Sequence, residues 1–170
     1  MHDVELHIFY GRQGIDSLIN SPYLKKIRYL PDKKQKNLQL FEQENVYEHG
    51  SIGHKELVEE LFKSGIWVYP CHTAAGIFCI SAWKAQAASC VPVVTSYADL
   101  DDTVKLNIRI NDSAGNEETN NAFITAVINL VKAPEKQQYL IQEALALKDS
   151  FGWNTVAQQW EQEFIYAEIK

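Results

Sequence analysis

The chain has 170 residues, 46% apolar, 11% aromatic and 22% charged, the composition of a compact globular protein and not of a disordered or collagen-like one. Folding at this length buries roughly two-thirds of the chain's surface, so one domain can build its own core without disulfide or metal staples. Sixteen basic against twenty-two acidic side chains give a net charge of −6, the wrong sign for a grip on phosphate backbones, and nucleic acid is not an expected partner.

Short β-branched and aromatic runs alternate with helical patterns, which predicts βα units feeding a parallel sheet. The first predicted strand is Val4 to Tyr10 (VELHIFY), stopped by Gly11. A helix is predicted from Pro31 to about Gln43, with proline suited to the first turn. The second strand runs from Asn45 to His49 and ends at Gly50. His54 to Lys63 (HKELVEELFK) places Leu57, Val58, Leu61 and Phe62 on one stripe, and Ser64-Gly65 stops it. The third strand is Ile66 to Tyr69, ending at Pro70. After a loop of small residues, Ile80 to Ala88 reads as a short helix with Ile80, Trp83 and Ala87 on one face. The fourth strand, Val91 to Thr95 (VPVVT), has its proline near the start, where a ladder donor is least missed. A weak fifth strand covers Asn107 to Ile110, and the polar stretch Asn111 to Asn121 leads into helices over Glu117 to Lys132, Glu135 to Lys148 and Asn154 to Glu168.

The three cysteines, Cys71, Cys79 and Cys90, lie in or beside apolar runs and lack the close-set Cys/His pairs of a zinc site. They read as buried thiols, with neither a disulfide nor a metal. No apolar run approaches the roughly 20 residues that cross a bilayer, and MHDVELHIFYGRQ has no signal-peptide character, so a cytoplasmic protein without a transmembrane segment is expected.

In a doubly wound α/β sheet, ligands sit outside the carboxyl ends of the strands. That rim comprises Gly11 to Gln13, Gly50 to Gly53, Pro70 to Phe78 and Ser96 to Asp99. The most informative stretch is Tyr69 to Val94, YPCHTAAGIFCISAWKAQAASCVPVV: strand, small-residue loop, helix, strand. Loop amides and the helix dipole at such a turn favour an anion, and Ser81 adds a hydroxyl.

This stretch resembles the C-terminal, nucleotide-sugar-binding domain of GT-B glycosyltransferases of the family 4 type. Pro70, the loop Ile77-Phe78-Cys79, the helix segment Lys84-Ala85-Gln86-Ala87 and the strand Pro92-Val93-Val94 follow the family's order. LHIFYG, NVYEHGSIGHKEL, ADLDDTV and FGWNTVAQQWEQEF agree in order and spacing, so the resemblance covers nearly the whole chain. It implies a Rossmann-like parallel sheet with flanking helices. It also implies retaining transfer of a sugar from a nucleotide diphosphate to an acceptor held by an N-terminal domain or partner chain, with no metal or other cofactor. Two family glutamates that line the donor site are replaced here by Gly76 and Lys84, and the family's helix glycine by Ser89. The family's first βα unit, with its diphosphate-holding Arg, is expected to be missing, which leaves Arg12 as the substitute cation. These departures favour an alternative, a non-catalytic nucleotide-sugar-binding or interaction module derived from such an enzyme.

The resemblance thus implies a donor site of Arg12, Gly50, Ser51, Ile52, Gly76, Ile77, Phe78, Cys79, Ile80, Ser81 and Lys84, with the catalytic residues unassigned. The residues themselves leave plainer readings open. Gly50 and Gly53 fit a simple strand-to-helix turn as well as a base-facing loop. His49 fits a turn hydrogen-bonder, His54 a surface residue, and His72 a loop residue beside the sugar pocket. Trp83 and Trp153 fit core packing, and Asp99, Asp101 and Asp102 fit the start of a helix.

Overall fold

The computed structural model describes residues 4–10, 39–72, 78–105, 108–111 and 115–168, without the side chains of 148, 151 and 168. Arg12, Gly76, Ile77 and most of the helix expected from Pro31 to Gln43 lie outside the described residues. The chain divides into two compact units, Met1–Leu57 and Val58–Lys170.

In the first unit, β1 (Leu6–Phe9) pairs in parallel with β2 (Val46–Gly50). Gly50 ends β2 at φ 65°, a left-handed conformation that glycine adopts without a steric penalty. Its carbonyl accepts the Tyr10 amide at 2.9 Å. The helix α1 (His54–Lys63) then starts with Glu56 reaching back to the Gly53 amide at 3.1 Å, half of a capping box.

The second unit holds a three-stranded parallel sheet in which β4 (Val91–Ser96) lies between β3 (Ile66–Tyr69) and β5 (Ile108–Asn111). All five predicted strands therefore form, within about two residues of their expected ends, and every pairing is parallel. They are divided between two sheets.

The central strand contains a proline, normally excluded from such a position. Val91 donates its amide to the Gly65 carbonyl on the β3 side, so the next residue, Pro92, faces the β5 side. Pairing with β5 begins only at Val93, opposite Ile108, and the missing donor falls below the start of that ladder.

Helices cover both faces of this sheet. On one face Ala82 of α2 (Ile80–Ala87), together with Leu100 and Val104 in and just after α3 (Leu100–Thr103), packs with Val94 and Cys71. On the other, Phe123 and Leu130 of α4 (Glu117–Val131) pack on Val91 and Val93, with Leu140 and Ile141 of α5 (Pro134–Ala146) against them. This double cover makes residues 91–95 buried without a break, the condition that turns a parallel strand into a continuous apolar run. Asn116 caps α4 by accepting the Thr119 amide at 2.7 Å, and Pro134 opens α5.

Helix α2 ends in a Schellman turn: the Cys90 amide donates to Ala85 and the Ser89 amide to Gln86, each at 2.9 Å. Ser89 occupies the left-handed position of that turn at φ 65°. Serine is less suited to this backbone conformation than glycine, the residue the resemblance leads one to expect here.

A 3-10 turn (Lys148–Phe151) precedes α6 (Trp153–Glu168). Trp153 is 86% exposed, which corrects the expectation that it packs in a core; Trp160 and Phe164 are exposed too, their rings 5.7 Å apart. Among the described side chains of this helix, only Thr155 and Val156 are half-buried. No helix of the described residues is long and apolar enough to cross a membrane.

Candidate functional site

β3 ends at Tyr69, and α2 opens at Ile80, just after Phe78 and Cys79. Between these points lies an open cleft of about 240 Å3, lined by Tyr69, Cys71, Phe78, Cys79, Ile80, Ser81 and Asp99. It is at the carboxyl end of β3, where the layout of a parallel α/β sheet places ligands.

Thr95 of β4 fixes the floor. Its hydroxyl donates to the Cys71 carbonyl at 3.0 Å and accepts the Cys71 amide at 2.8 Å, which clamps the end of β3 to the central strand. The Phe78 ring leans on Trp83 at 5.3 Å and forms one wall. At the α2 N-terminus no side chain caps the helix by a hydrogen bond, while the Ser81 and Ala82 amides point towards the Cys79 sulfur and favour its anion. Burial outweighs them and, with the nearby Asp99 carboxylate, pushes the Cys79 thiol up. Tyr69 is raised for the same reasons, burial first, then the negative charge available to Cys79, Cys71 and Asp99.

Helix α2 is held by Gln86, which is fully enclosed. Its side-chain amide donates to the Ala82 and Thr103 carbonyls at 3.1 and 3.0 Å, and its oxygen accepts the Lys105 amide at 2.7 Å. The glutamine of the K-A-Q-A segment is therefore a brace between α2 and the backbone around the end of α3.

Of the expected donor-site residues, Phe78, Cys79, Ile80 and Ser81 meet at the cleft. Lys84 is half-buried further along α2 and is not among the lining residues. Gly50, Ser51 and Ile52 belong to the first unit and make the turn between β2 and α1. Tyr69, Cys71 and Asp99 are additions. Asp99 stood on the predicted rim, but it read as a helix cap; its side chain makes no capping bond, and its carbonyl accepts the Thr103 amide and hydroxyl instead. Asp101 accepts from Ser96 and from Arg109, which also binds the Val104 carbonyl, so Arg109 is committed to its own loop.

All three cysteines are free thiols, Cys71 and Cys90 buried and Cys79 half-buried. His72 and His54 are exposed. His49 lies in β2, within the predicted strand, and its hydrogen bond goes to His7 across the sheet instead of to the turn.

No protein-family model matches the chain, and no curated protein matches it. The GT-B likeness therefore stands on the residues that carry it.

Proposed function

We propose that this chain is a GT-B-type donor domain, which holds the diphosphate of a nucleotide sugar at the turn between β3 and α2 for retaining transfer to an acceptor bound by another domain or chain. One observation carries the reading: residues 78–81, picked out by the family pattern, line a cleft beside a helix N-terminus at the carboxyl end of a parallel strand. Preorganised amides there offset the charge that gathers on a departing diphosphate. The cleft is smaller than the roughly 300–1,000 Å3 of drug-sized ligand pockets. It suits a diphosphate and the adjoining sugar carbon, with the base outside it.

The charge of the lining supports the second reading, a binding module without catalysis. Among the described lining residues the charged group is Asp99, and there is no lysine or arginine. A carboxylate opposes an incoming diphosphate unless it bonds a sugar hydroxyl.

Thermal denaturation with UDP, GDP and their sugar conjugates tests both. A nucleotide at 1 mM with a dissociation constant of about 0.1 mM stabilises by about 1.4 kcal/mol, or roughly 3–6 °C for a chain of this size. Asp99→Asn should enlarge the shift for free UDP or GDP. The absence of any shift with millimolar nucleotide defeats the donor-site reading; a shift without sugar turnover when an acceptor domain is supplied selects the binding module.

A further inference from the structure

The first unit contains a side-chain cluster that the donor site does not use. Its two strands keep regular register from Leu6 opposite Val46 to Ile8 opposite Glu48, and then Phe9 lies opposite Gly50. His49 is the residue left over by this irregularity. An extra residue of this kind re-aims its side chain. The His49 ring stacks on Phe9 at 4.7 Å and on His7 at 5.1 Å, and its Nε2 comes within 2.8 Å of His7 Nδ1. Behind His7, the Glu5 carboxylate accepts from Nε2 at 3.2 Å. In the neutral His7 tautomer that donates its Nε2 proton to Glu5, Nδ1 is the lone-pair nitrogen and accepts the His49 Nε2 proton.

Two half-buried imidazole nitrogens thus converge on one proton, and one of them is backed by a carboxylate. A carboxylate–histidine pair is the outer arrangement that orients imidazole ligands and raises their basicity at metal sites. Imidazole nitrogens suit the borderline divalent ions, zinc, copper and nickel. Tetrahedral zinc bonds of 2.0–2.1 Å put two nitrogens about 3.3 Å apart, so a metal ion enters when the gap widens by about half an ångström, both rings swing until their lone pairs meet off the N–N line, and His49 moves its proton to Nδ1.

We propose that His7 and His49 form a two-nitrogen site for a borderline divalent metal ion of the zinc class, with Glu5 as the outer carboxylate that positions His7 and water completing the coordination. The bulge at His49 places the second ligand, and Glu5, two residues before His7, steadies the first through its 3.2 Å bond.

The test is zinc titration of the full chain, followed by calorimetry and by nitrogen-15 NMR of the imidazoles. The expected result is joint movement of the His7 Nδ1 and His49 Nε2 resonances on addition of zinc. His7→Asn and His49→Asn should each weaken zinc binding by about a hundredfold or more, and Glu5→Gln by about tenfold, the lower end of the effect of removing an outer carboxylate. The wild-type NMR readout stands even if a histidine variant fails to fold. Zinc that leaves both resonances in place, or that binds both histidine variants with unchanged affinity, overturns the proposal.

Discussion

Strands β1 and β4 are both short, parallel and rich in apolar residues, yet they are held by opposite means. β4 is enclosed on both faces by helices and lies in the middle of its sheet, so packing accounts for its run of valines. Among the described residues β1 pairs only with β2; it keeps Leu6 exposed and carries its order in a ladder of rings and polar atoms, Tyr47, His7, His49 and Phe9. A strand buried on both sides spends its residues on volume. One with an open side can place chemistry.

The comparison breaks most readily at its apolar end. Leu130, 1% exposed and packed on Val91 and Val93, should cost about 2–5 kcal/mol when changed to alanine, whereas Leu6→Ala on the open strand should cost less than about 1 kcal/mol. Urea unfolding of the two variants measures the difference; equal losses would mean that β1 is as enclosed as β4.

Alkaline pH probes the buried start of β4 through Cys90, the residue just before it. Burial holds its thiol up at about 11, against 9.0 for an ordinary thiol, and the sulfur donates towards the Leu61 and Ser64 carbonyls. Above pH 9 the unfolded chain releases this proton while the folded chain keeps it. The thiol's contribution to stability is therefore complete below pH 9 and is lost between about 9 and 11, a fall of about 2–3 kcal/mol. The stability difference between the native chain and Cys90→Ala, measured at pH 8 and 11, should shrink by that amount.

Thr95 gives the smallest of these core effects. Thr95→Val preserves the shape but deletes both bonds to Cys71; the amide keeps a contact with the Tyr69 carbonyl at 3.1 Å, so the cost should be about 1–2 kcal/mol. Faster alkylation of Cys71 should accompany it, since the clamp holds that thiol inside the cleft.

What the chain reveals before folding follows the range of the interactions involved. Ser64-Gly65, Pro70 and Pro134 act on their immediate neighbours, and the element ends near them are legible. The covered sheet of β4 is legible too, because VPVVT has no polar face to show. The turn at residues 78–81 could be placed on the rim by pattern. Long-range pairings could not: His7 and His49 are 42 residues apart, and nothing local marks the slip in register that joins them. Asp99 misled because an aspartate before a helix usually caps it, and here the short α3 takes its first bonds through the backbone. Trp153 misled because periodicity reports an apolar stripe but not whether a neighbour arrives to cover it.

Gln86 has an implication for how the cleft can change. The wall made by the start of α2 is steered from the helix's far half, where one amide group grips the chain at residues 82, 103 and 105. A substitution at this hidden lever, well away from any ligand, could tilt the whole helix and so re-angle the amides at its opposite tip, leaving every residue of the mouth chemically intact.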